Sequence, residues 1–135
     1  MSNPPDARAR STSPVGSNRE LNAELVTELA VRDVALSVGF YEKAGFYAER
    51  ATATFASLRW GDSYLFLAQA ASVSPGVPPA NIRVIVNDLA PWIERARSEG
   101  WRIVSEPADR GYGLRDFTVL DPDGHELRFA VNSTG

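Results

Sequence analysis

The chain has 135 residues, 44% of them hydrophobic and 23% charged, with a net charge of −3 and no cysteine. That length holds one domain, or two small repeats around one core, and the missing cysteines exclude disulfides, thiolate metal sites and thiol nucleophiles. A mildly acidic balance argues against nucleic acid, whose phosphates need a basic footprint, and no apolar run reaches the roughly 18 residues of a membrane span.

In chain order, residues 1–22 are rich in Pro, Ser, Asn and Arg without periodicity and read as a flexible tail. The tail lacks the apolar h-region of a secretory signal, so the cytoplasm is the default location. A first unit over 23–69 opens with a strand near 25–31. Asp33 then suits the cap of a helix that ends at Gly45, a residue free to take positive φ. A strand and then a hairpin follow, the hairpin turning at Gly61-Asp62. Residues 70–80, AASVSPGVPPA, carry the prolines, glycine and serines of a linker. A second unit over 81–132 repeats the plan: a strand at 81–86, a cap at Asp88, Pro91 early in a helix, Gly100 at its end, and a hairpin turning at Asp123-Gly124.

The two units align residue by residue. VRDVALSVGFYEKAGFY (31–47) falls on VNDLAPWIERARSEGWR (86–102), matching Val31 with Val86, Asp33 with Asp88, Gly45 with Gly100 and Phe46 with Trp101. FASLRWGDSYLFLA (55–68) falls on FTVLDPDGHELRFA (117–130), matching Phe55 with Phe117, Leu65 with Leu127 and Phe66 with Arg128. The repeat predicts two βαβββ modules.

Strand parity then divides core from surface. Leu29, Val31, Leu65, Leu67, Ile82, Val84, Val86, Leu127 and Phe129 share an apolar face expected to lie under the helices. The opposite parity carries Glu28, Tyr64, Phe66, Asn81, Arg83, Glu126 and Arg128. Pairing across the two turns adds Phe55, Ser57, Arg59, Phe117, Val119 and Arg115 to that second, semi-polar face. Trp60 and Tyr112 are placed at its rims, whereas Trp92 and Trp101 belong with the helices. His125, beside the Asp123-Gly124 turn, reads as an exposed hairpin residue.

LAVRDVALSVGFYEKAGF, WGDSYLFL and above all GLRDFTVLDPDGHELRF resemble the glyoxalase, bleomycin-resistance and extradiol-dioxygenase group, the vicinal-oxygen-chelate superfamily, over roughly residues 24–132. The resemblance implies an α+β fold whose two βαβββ modules form a curled eight-stranded mixed sheet with helices on its outer face. Metal-using members of the group place ligands at four repeat-related positions, which fall here on Val26, Phe66, Asn81 and Arg128. An aliphatic chain, a phenyl ring, an amide and a guanidinium are not a divalent-metal donor set. No cofactor and no catalytic residue is therefore expected.

The metal-free branch that the chain resembles, the bleomycin-resistance proteins, binds a toxic natural product in clefts lined by both subunits of a homodimer. The resemblance so implies sequestration of a small molecule, bleomycin-like or otherwise. Glu28, Phe55, Arg59, Trp60, Tyr64, Phe66, Asn81, Arg83, Tyr112, Arg115, Phe117 and Arg128 are the expected ligand-binding residues. The alternatives are a lyase, isomerase or dioxygenase of the same group, and a ligand-sensing module that works with another protein. Four arginines on the face favour an anionic or carbonyl-rich guest over a strongly cationic one.

Overall fold

The structure, a computed structural model, describes residues 25–70, 80–111 and 113–132. The expected tail, most of the linker, and Tyr112 lie outside the described residues. The first module is β1 (Thr27–Val31), α1 (Val34–Lys43), β2 (Tyr47–Ala51), β3 (Phe55–Trp60) and β4 (Ser63–Gln69). The second is β5 (Asn81–Ile85), α2 (Ala90–Glu99), β6 (Ile103–Asp109), β7 (Leu114–Leu120) and β8 (Glu126–Asn132).

The fold is α+β and consists of two βαβββ modules, as the repeat predicts. Hydrogen bonding divides the eight strands into two four-stranded mixed sheets, one per module, ordered β1-β4-β3-β2 and β5-β8-β7-β6. In each module the helix returns the chain so that the first strand pairs in parallel with the last, and the other pairings are antiparallel. The outermost strands β2 and β6 both carry register shifts against their neighbours. Such bulges make an open sheet edge a poor template for further strands.

Local chemistry sets the helix ends. Asp33 caps α1, its Oδ1 accepting the Leu36 N–H at 3.2 Å. In the second copy Leu89 is the cap residue, and Asp88 instead accepts the Ala90 N–H at 3.1 Å. The helix there begins one residue later than the repeat implies.

One core serves both modules. Leu29, Val31, Leu65 and Leu67 of the first sheet and Val84, Leu127 and Phe129 of the second belong to a single buried cluster, with Ile82 and Val86 packed against it. Each large apolar side chain so buried contributes about 1.5–3 kcal/mol. Trp92 stacks on Phe129 at 5.1 Å and Trp101 packs on Phe40 at 4.8 Å, on the helix side as expected.

The second hairpin corrects the expected faces. The first turns through two residues, Gly61-Asp62, so that Trp60 pairs with Ser63. The second pairs Leu120 with Glu126, and Asp121 N–H donates to His125 O at 2.9 Å, leaving three loop residues, Pro122 to Gly124. Gly124 takes the positive φ that a three-residue loop requires at its end. One extra loop residue reverses the parity of β7 relative to a two-residue turn. Phe117 and Val119 are consequently fully buried core residues opposite Phe129 and Leu127, and Phe117 stacks on Phe129 at 5.3 Å. Arg115 shares their parity at the strand's exposed start, where it pairs with Asp109 at 3.5 Å. Asp116 and Thr118 occupy the face where Arg115, Phe117 and Val119 were expected.

His125 is also not exposed. It is 7% accessible, its Nδ1 accepts the Ala80 N–H at 2.9 Å, and its Nε2 lies 3.0 Å from Ala30 O. Those two bonds fix the tautomer, with the proton on Nε2. No helix among the described residues is long and apolar enough to cross a membrane.

Candidate functional site

Each sheet turns one face to the core and leaves the other as a cup. In the first module the cup is aromatic. Phe55 on β3 meets Phe66 on β4 edge-on at 5.1 Å, Tyr64 lies 6.4 Å from Phe66, and the Arg59 guanidinium sits 5.2 Å over the Tyr64 ring. Arg59 is held there by Glu49 at 3.3 Å and by Gly61 O at 3.2 Å. With Arg50 and Ser57 these residues line a cleft of about 600 Å³. Glu28 is exposed on β1 directly beside Phe66. Sequence reasoning missed Glu49 and Arg50, because the register shift between Ala48 and Arg50 interrupts the alternation that would have placed them.

In the second module the repeat-related cup is ionic. Asp116 on β7 has no exposed surface and accepts from Arg110 Nε at 2.6 Å, while Arg83 Nη2 stands 3.6 Å from its other oxygen. Arg110 also donates to Ser105 Oγ at 2.9 Å. Arg128 donates through Nη2 to Glu126 at 3.0 Å. Val104, Ser105, Arg110, Thr118, Glu126 and Arg128 line a cleft of about 270 Å³. Arg110, Asp116 and Thr118 were not among the expected site residues. For Asp116 and Thr118 the signal was present in LRDFTVL, whose alternating Phe117 and Val119 mark one buried face and so assign these two to the other; nothing in the pattern marks Arg110.

Trp60 belongs to neither cup. It lies on the core-facing parity of β3, 5.0 Å from Phe46 and 6.1 Å from Trp92. Its exposed edge lines a separate groove with Ile85, Pro91 and Trp92.

The four metal-ligand positions can be judged by donor chemistry. Asn81 lies opposite Glu126, and Arg83 opposite Arg128, on the cup face of the β5–β8 pair. Across β1–β4, Glu28 lies opposite Phe66. Val26, Phe66, Asn81 and Arg128 supply one amide and one permanent cation, and the adjoining level adds only single carboxylates. Among the described residues no cluster of three or more His, Cys, Asp or Glu side chains is formed. The residues present do not fit a divalent metal at this position.

Paired βαβββ modules, sharing one core and each presenting a cup, define a glyoxalase-type protein. The sequence profile of the Glyoxalase/Bleomycin resistance protein/Dioxygenase superfamily matches residues 25–129, and the chain belongs to that superfamily. Among solved structures, a bleomycin-binding protein complexed with bleomycin is 25% identical and superposes with a TM-score of 0.67, over 82% of this chain and 99% of that one. A bleomycin resistance determinant encoded on the transposon Tn5 is also 25% identical, with a TM-score of 0.68 over 82% and 98%. A hypothetical protein from S. aureus, 22% identical with a TM-score of 0.69 over 80% and 92%, shares the fold. No curated protein matches the chain.

Proposed function

We propose that the chain is a metal-independent binding protein that sequesters a toxic natural product in clefts formed by a homodimer. The observation that carries this reading is the chemistry of the cup faces. At two of the four positions where a metal-using relative needs donors this chain carries Phe66, suited to stacking, and Arg128, suited to ion pairing; the other two hold Val26 and Asn81. Phe55, Tyr64 and Phe66 offer rigid contact area at low entropic cost, and Arg59, Arg83 and Arg128 fix polar groups. The likeness to a protein solved with bleomycin supports the same reading.

Calorimetric titration of chelator-treated protein with bleomycin tests it. Binding near one ligand per chain, unchanged by chelator, is the expected result, together with a dimeric mass by light scattering. Absence of heat removes bleomycin as the guest, and a monomeric mass removes the shared cleft. Retention of stoichiometric iron, manganese, nickel or zinc after purification turns the reading towards a lyase or dioxygenase.

A further inference from the structure

We propose that the cup of the first module takes a dipolar aromatic guest, with a carboxylate or equivalent oxyanion at one end of a ring and an ammonium group at the other. Arg50 meets the anion and Glu28 the cation. The proposal rests on the cups being ligand sites, and it adds the charge pattern of the guest, which stacking alone leaves open.

The strand register carries it. Glu28 on β1 pairs with Phe66 on β4, Phe66 with Ser57 on β3, and Ser57 with Arg50 on β2. Residues directly opposite across a sheet share a face, so these four side chains form one row across the cup. A carboxylate and a guanidinium end the row, three strand spacings or roughly 14 Å apart, with a ring and a hydroxyl between them. Arg50, Ser57 and Phe66 line the cleft of about 600 Å³ together with Phe55 and Tyr64, and Glu28 adjoins it beside Phe66. Among the described residues, neither Glu28 nor Arg50 has a side-chain hydrogen bond or ion pair. The other cation of this cup is already met: Arg59 has Glu49 at 3.3 Å, Asp62 at 3.7 Å and the Tyr64 ring at 5.2 Å. Acids match or outnumber arginines over the cup as a whole, so net charge does not select an anion; the position of each free group does.

The second module shows the same row closed from within. The equivalent positions there are Arg83, Arg128, Thr118 and Ser105. Arg83 lies 3.6 Å from Asp116, Arg128 donates to Glu126 at 3.0 Å, and Ser105 accepts from Arg110 at 2.9 Å. In the first module Phe66 and Ser57 separate the two charged ends, and no side chain bridges them. A guest with opposite charges at the two ends of a ring reaches both, and its ring then lies over Phe66. An arginine fork takes a planar oxyanion in two parallel hydrogen bonds, and a carboxylate accepts from an ammonium group.

The probes para-(aminomethyl)benzoate, para-methylbenzoate and para-methylbenzylamine carry both charges or either alone on one ring, and test this on the full chain. Backbone amide and arginine Nε–H signals in nitrogen-edited NMR report the binding. The doubly charged probe is expected to bind about fivefold more tightly than either singly charged one, the worth of one part-exposed ion pair. It should move signals along Glu28, Phe66, Ser57 and Arg50. Arg50→Gln should lower its affinity to the level of para-methylbenzylamine on the parent chain, and Glu28→Gln to that of para-methylbenzoate. Both residues are exposed, so neither change disturbs the core. The ortho isomer, with its charges side by side, should lose the gain. Equal affinities for the three probes, an ortho isomer that binds as well, a preference that survives either substitution, or no shift along the row overturns the proposal. A failed bleomycin titration leaves these results standing, because the probes test the charged row and not the natural product.

Discussion

Asp116 shows no exposed surface, yet its carboxylate meets two guanidinium groups, Arg110 at 2.6 Å and Arg83 at 3.6 Å. Removing the carboxylate strips two guanidinium groups, 27% and 35% exposed, of their charged partner, at a cost of about 1.5–3 kcal/mol. Asp116→Ala is therefore expected to lower stability by about that amount in urea unfolding, with Asp116→Asn less damaging because it keeps the shape and one acceptor. A second buried contact, Tyr41 Oη donating to Asp121 Oδ2 at 2.7 Å, ties α1 to the loop between β7 and β8. Burial first, and then the Asp121 charge and hydrogen bond, hold the Tyr41 hydroxyl well above its ordinary value of 10.0. The unfolded chain thus releases this proton before the folded one does. The stabilisation is complete below pH 10.0 and is lost as pH rises towards the folded value. In thermal melts above pH 10, Tyr41→Phe should show a shallower alkaline decline than the parent, while being about 1 kcal/mol less stable at neutral pH. An unchanged alkaline slope would falsify the assignment.

At the scale of the element, hairpin length decided which residues could form a site. LRDFTVL has the apolar spacing of a strand with Phe117 and Val119 on its buried face, and so its own pattern marks the cup residues Asp116 and Thr118. Aligning FTVL to FASL and treating Asp123-Gly124 as a two-residue turn gave the reverse, because one residue in a loop inverts a whole strand. Helix ends were legible wherever the chemistry was local, as at Asp33, Gly45 and Gly100. Gly45 has a further duty that its neighbours in sequence do not reveal. Its φ is +103°, and an added Cβ would stand 2.6 Å from Trp92 and 2.9 Å from Trp60. Gly45→Ala should cost about 2 kcal/mol or more and alter tryptophan emission, since both indoles must move. Gly100→Ala, with φ +73° but open space around it, should cost only about 1 kcal/mol and leave the emission unchanged.

Across the whole molecule, the two modules are joined by polar contacts as well as by their common core. His125, at the start of β8, accepts from Ala80 ahead of β5 and donates to Ala30 at the end of β1. The same loop receives Arg32, whose Nε meets Asp123 Oδ1 at 2.7 Å, so the run from Asp121 to His125 is clamped onto the first module. His125→Ala removes the imidazole partner of the Ala80 N–H and of the Ala30 carbonyl, both in part-buried hydrogen bonds. It should destabilise by about 2 kcal/mol and speed hydrogen exchange at Ala80. Unfolding should remain a single transition, because the shared apolar cluster still joins both sheets.

The sequence by itself determined the class of this protein. Apolar periodicity, capping residues, turn glycines and an internal repeat are local signals, and they specified two βαβββ modules. Through the resemblance to metal-using relatives, which implies the four ligand positions, residue identity at Val26, Phe66, Asn81 and Arg128 was enough to judge the donor set. Tertiary structure alone decided which polar residues meet. Arg110 reaches Asp116 across a bulged strand pair, Tyr41 reaches Asp121 between modules, and His125 bridges Ala30 in β1 and Ala80 ahead of β5, each through distances in space that no sequence period encodes. The faces of a strand follow from pattern. The partners of a buried charge follow only from how the strands are finally assembled.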